Sequence, residues 1–158
     1  MKTQFFSAEV ISNIALFSIV FIFLLFMINN KIMNFKESTE EDYLIINSNN
    51  IINLLTLTGG YPNDWSNNNF SEIGLCDYYK IINPAKLENF IDALNNNYSA
   101  VIESFSIDAY NLYFSLEYLN NSKIIEYRPK IKPRNVLVSK RKVLYNNEPA
   151  MLKVGVLN

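Results

Sequence analysis

The chain has 158 residues, 49% of them hydrophobic, and a net charge of −1. That length allows one domain plus an anchor rather than two full domains, and the near-neutral charge does not point to nucleic acid as a partner. Histidine is absent and there is one cysteine, Cys76. An intrachain disulfide, the commonest zinc ligand and every Ser-His-Asp or Cys-His arrangement are therefore excluded. The expectation is a protein that is not an enzyme, with no cofactor, no metal and no small-molecule substrate.

Residues 1–9 form a short N-terminal flank. From Val10 to Ile28 the sequence reads VISNIALFSIVFIFLLFMI, with no charge, and with Ser18 as the one polar residue after Ile14. At 1.5 Å rise per residue this run spans roughly 30 Å, the thickness of a hydrocarbon core. It is apolar on every side, unlike a surface-lying amphipathic helix. A cleaved secretory signal would need small residues after the run, where Met27-Ile28-Asn29-Asn30-Lys31 stands. The expectation is a transmembrane helix over 10–30. Lys2 on one flank and Lys31 and Lys36 on the other nearly balance, so the positive-inside rule does not orient it.

Glu9 sits at the edge of the apolar run, where an ionisable group is costly. It lies either in the headgroup layer or in a functional position. The segment Phe5-Phe6-Ser7-Ala8-Glu9 ahead of an apolar helix resembles the mature start of archaeal type IV pilin-like proteins with a class III signal. Counted from Phe5, Ser7 is third and Glu9 fifth, as in that pattern. Gln4 stands where the family usually has a small residue. The resemblance implies a leader removed after Gln4, and a Glu9 carboxylate that meets the freed amine of a neighbouring subunit. A carboxylate in an apolar bundle needs such a cation to offset its desolvation.

The remainder, 38–158, reads as one α+β domain outside the cell membrane. Thr39 followed by Glu40, Glu41 and Asp42 has the form of a helix start, running to about Leu57 with Leu44, Ile45, Ile52 and Leu55 as core positions. This helix either continues the anchor or follows a break between Asn29 and Asn34. Gly59-Gly60 ends it. Gly59-Gly60-Tyr61-Pro62-Asn63-Asp64-Trp65 is a dense turn segment whose tryptophan is expected to plug the core. Asn83-Pro84 starts a helix, with Leu87, Phe90, Ile91 and Leu94 on one face. A short helix over 99–105 follows.

Alternation then predicts strands over 110–119 and 123–128, and a second pair over 136–145 and 150–157, joined through Asn146-Asn147-Glu148-Pro149. The predicted fold is a long N-terminal helix followed by helices packed on an antiparallel β-meander. Gly60-Tyr61-Pro62, Ile73-Gly74-Leu75, Asn83-Pro84-Ala85-Lys86-Leu87 and Ser139-Lys140-Arg141-Lys142 resemble uncharacterised archaeal membrane-anchored proteins.

Candidate sites beyond the head of the chain are few. Cys76 is expected to act as a small buried hydrophobe, having no histidine to activate it. The acids at 40–42 diverge around a helix and make no metal site. Three N-x-Ser sequons, at Asn69, Asn97 and Asn120, are possible glycosylation sites. Lys123, Arg128, Lys130, Lys132, Arg134, Lys140, Arg141 and Lys142 cluster with Glu126 as the one acid among them. The run Lys140, Arg141, Lys142 is either a patch for an anionic surface partner or a set of aggregation-blocking charges on edge strands. Two readings of function follow. One is a pilin-like or pseudopilin-like structural subunit, with membrane lipid and like subunits as partners. The other is a monomeric single-pass ectodomain that binds an anionic surface partner.

Overall fold

The computed structural model describes residues 2–67, 69–129 and 136–158, the backbone alone for residues 2–8, 34, 37 and 136. Its first element, α1 (Lys2–Leu57), is one unbroken helix. No proline or glycine occurs before Gly59, so nothing forces a stop. The expected helix start at Thr39 is corrected: the Thr39 hydroxyl donates to the Phe35 carbonyl at 2.8 Å, one turn back inside the helix. The segment between Asn29 and Asn34 continues helically. The chain divides into two units, one up to Glu40 and one from Glu41 to Asn158.

In the first unit α1 is long and apolar enough to cross a membrane. Its large apolar side chains from Val10 to Phe35 are exposed all round, Phe17, Phe21, Phe23 and Phe26 among them. In the second unit the helix changes character, because polar and apolar residues now segregate. Leu44, Ser48, Ile51, Ile52, Leu55 and Thr56 form a buried stripe, while Asn49, Asn50 and Leu54 stay exposed. Leu57 is the last helical residue. Gly60 follows with φ +78°, a conformation that favours glycine, and a Cβ there would lie 2.6 Å from the Trp65 indole.

After the turn segment come β1 (Cys76–Tyr78), β2 (Ile81–Ile82), α2 (Pro84–Asn96), α3 (Tyr98–Ser104), β3 (Asn111–Tyr118), β4 (Lys123–Tyr127), β5 (Val136–Tyr145) and β6 (Glu148–Leu157). The cap of α2 forms as its sequence requires. Asn83 Oδ1 accepts from the backbone N–H of Ala85 and Lys86, and Pro84 occupies the first turn. Leu87, Phe90 and Leu94 are buried and Ile91 is half-buried.

The class is α+β, as expected, but the sheet is mixed and is not a meander. Its strand order is β1-β2-β5-β6-β3-β4, with β2 and β5 parallel and every other pair antiparallel. The physical reason lies in β6. Ala150, Leu152, Val154 and Val156 are all fully buried, so β6 takes the centre, between β5 and β3. The half-buried β4, with Lys123 and Glu126, takes an edge. The β5–β6 turn is also tighter than expected. Asn146 and Asn147 have φ of +51° and +65°, the pattern of a two-residue hairpin turn that asparagine tolerates, so β6 begins at Glu148.

The helices cover one face of this sheet. Phe90 of α2 meets Phe114 of β3 edge-on at 5.0 Å between ring centroids, and Phe105 at 6.4 Å. The domain part of α1 is stitched to β5 and β6 by side chains. Ser48 Oγ accepts from the Val156 N–H at 2.9 Å and donates to the Leu137 carbonyl at 3.5 Å. Leu137 and Val156 face each other across the two strands, so the hydroxyl mediates one rung of the ladder. Ser48→Ala leaves the buried Val156 N–H unpaired, and thermal unfolding of this variant should show a loss of about 1–3 kcal/mol.

Candidate functional site

Two constellations stand out in the domain, and each is assembled from residues distant in sequence. The first is a polar clasp at the C-terminal end of α1. Trp65 is 1% exposed. Its indole N–H is shared between the Gly59 carbonyl at 3.1 Å and the Gly74 carbonyl at 3.0 Å. The Tyr61–Pro62 bond in this loop is cis. Beside it Lys86 of α2 is 7% exposed. Its ammonium donates to the Gly59 carbonyl at 2.9 Å and to Asn63 Oδ1 at 3.0 Å, and pairs with Asp77 Oδ1 at 2.8 Å. All three ammonium hydrogens thus have acceptors, the condition under which a buried lysine is tolerated.

Asp77 also accepts from Asn83 Nδ2 at 2.6 Å. The bond from Lys86, then that from Asn83, holds its carboxyl below the usual carboxylate range. Cys76 next to it is buried. Burial, reinforced by the Asp77 charge, pushes its thiol up to about 11. A thiol so protonated is a poor nucleophile. Native protein at pH 8 should therefore resist iodoacetamide at Cys76, and denaturant should make the same residue fully reactive by mass spectrometry.

The second constellation is the sheet face opposite the helices. Strand register sets it out in rows. Glu126, Ser115, Lys153 and Lys140 lie side by side across β4, β3, β6 and β5, and Lys123, Glu117, Met151 and Lys142 form the next row. Glu126 pairs with Lys123 at 2.6 Å and with Arg128 at 2.7 Å, and accepts from the Tyr113 hydroxyl at 3.1 Å. Lys123, then Arg128 and Tyr113, draws its carboxyl down to about 2. Lys153 pairs with Glu117. Ser115 is 1% exposed and its hydroxyl has no hydrogen-bond partner among the described residues.

The run Lys140, Arg141, Lys142 is not one patch. Strand alternation sends Lys140 and Lys142, both exposed, to this outer face. Arg141 points to the helix side, where its guanidinium reaches Thr56 Oγ1 at 3.4 Å. β5 is paired along its length with β6, but with β2 at Leu144 and Tyr145 only. Lys130, Lys132 and Arg134 lie outside the described residues.

The head residues Gln4, Phe5, Ser7 and Glu9 all fall within α1, and Glu9 is exposed. Of the sequons, Asn69 is exposed. Asn97 is half-buried and donates its side-chain amide to the Asn67 carbonyl at 3.2 Å. Asn120 is exposed and accepts from the Ser122 N–H and hydroxyl. Among the described residues no group of three or more metal-ligating side chains converges.

No protein-family model matches the chain, and no curated protein and no solved structure matches it either.

Proposed function

We propose that this chain is a non-enzymatic, membrane-anchored structural subunit of pilin-like or pseudopilin-like type, with its α+β domain outside the cell. The observation that carries this reading is α1. One uninterrupted helix carries exposed apolar side chains all round from Val10 to Met33, and contributes a buried stripe to the domain core over its last turns. Surface of the first kind requires lipid or like helices around it. Glu9, at the head of the apolar run, is the group that would meet a neighbour's freed amine at Phe5.

The test is the intact mass of the chain from native membranes, together with electron microscopy of sheared surface material. A mature chain beginning at Phe5 and present in filaments supports the proposal. A chain that keeps Met1 and is confined to the membrane fraction overturns it. The second reading, an anchored monomeric ectodomain for an anionic partner, is favoured by one observation: Lys140 and Lys142 are exposed on the sheet face opposite the helices.

A further inference from the structure

We infer that the outer face of the sheet is a binding surface for an acidic polysaccharide. The inference rests on the second reading above, whose anionic partner it names by chemical class, and does not depend on whether the anchor ends in a bilayer or a filament.

Among the described residues the face carries five cations, Lys123, Arg128, Lys140, Lys142 and Lys153, against two carboxylates, Glu117 and Glu126. The two signs do not share the surface equally. The side chains of Glu117 and Glu126 are only 12% and 18% exposed, whereas Lys123 and Arg128 are 55% and 66% exposed. Lys153, paired with Glu117, is 23% exposed, so the exposed cations of the face are Lys123, Arg128, Lys140 and Lys142. Among the described residues no carboxylate pairs with Lys140 or Lys142, so these two present full charges to solvent.

Their spacing suits a linear polyanion. Residues two apart on one strand are separated by about 7 Å, and neighbouring strands by about 4.8 Å. Lys140 and Lys142, two residues apart on β5, therefore offer unpaired charges at a step matching acidic groups one or two sugar rings apart, with the ion-paired Lys153 on the neighbouring strand. The same face continues into an apolar border. Ile81 pairs with Leu144 and with Tyr78 across the short strands, and all three side chains are exposed, Tyr78 at 76%. Exposed rings and aliphatic side chains beside cations receive the C–H faces of sugars while the cations take the acid groups.

Nucleic acid fits this surface less well. The whole chain has a net charge of −1 and a pI of about 5.5, without the basic balance of a nucleic-acid binder.

Full-length protein in nanodiscs of neutral lipid should bind polygalacturonate and not dextran, and the binding should weaken as salt rises. The double variant Lys140→Glu, Lys142→Glu should lose about ten-fold or more in affinity, while its Trp65 fluorescence stays that of the folded protein. Equal binding to dextran and polygalacturonate overturns the inference, as does undiminished binding by the folded double variant. Preference for single-stranded DNA or for phosphatidylglycerol vesicles over polygalacturonate also overturns it.

Discussion

Trp65→Ala should cost the domain about 3–5 kcal/mol, the range for removing a fully buried large aromatic. Its indole lies between the Gly59 carbonyl at the end of α1 and the segment around Gly74. Phe70 packs edge-on at 6.1 Å, and Asn89 Nδ2 donates to the Trp65 carbonyl at 3.1 Å. Truncation opens a cavity and also strips the Gly59 and Gly74 carbonyls of a shared donor. Trp65→Phe separates the two effects, because it keeps most of the apolar volume and removes the N–H. That variant should lose about 1–3 kcal/mol, the cost of removing the donor from the buried Gly74 carbonyl, while the Gly59 carbonyl keeps Lys86. Urea denaturation of both variants, followed by far-UV circular dichroism, measures the difference. A wild-type-like midpoint for Trp65→Ala would show the clasp to be dispensable.

How much of this was legible depends on the range of the interaction that fixes each element. Asn83-Pro84 announces α2 because its cap is satisfied within three residues, and Leu87, Phe90 and Leu94 then declare the buried face. Gly59-Gly60 marks the end of α1 for the same local reason. The burial of Trp65 follows from its size alone. The order of the sheet is different. The β3–β6 pairing joins Leu112 to Val156 and Tyr118 to Ala150, and no local signal distinguishes this from a meander. The two-residue β2 is too short to carry a pattern, yet it makes the sheet mixed.

Of the candidate sites, the split of Lys140 and Lys142 from Arg141 was legible. Period-two alternation along a strand places neighbours on opposite faces, and treating the three as one patch passed over that rule. Ser48 and Lys86 were not legible. Ser48 looks like one more polar residue on a helix, and its partners lie 89 and 108 residues on. Lys86 looks like a solvent-facing residue in the first turn of α2. A cation at a helix N-terminus opposes the helix dipole, and that mild misfit was its one signal.

Lys86→Met carries the second large expected effect, about 2–3 kcal/mol, near the upper range for hydrogen bonds to a charged group. Methionine keeps the length and apolar stem of lysine, so packing is largely conserved and the loss reports the ammonium. Without it the Gly59 carbonyl retains the Trp65 N–H, but Asn63 Oδ1 and Asp77 lose their cation. Asp77 is 42% exposed, so water rescues its carboxylate and the penalty stays below that of a sealed ion pair. The pH dependence has a definite sign. The Asp77 carboxyl is held below its ordinary value in the folded state. Its contribution is therefore complete above the unfolded carboxylate range and is lost as pH falls through the depressed folded value. Wild-type stability should decline through that acid window, and Lys86→Met should decline less steeply because its Asp77 titrates nearer to the unfolded value. Parallel acid limbs in thermal melts from pH 6 downward would remove the Lys86–Asp77 pair from the account of what closes the loop over Trp65.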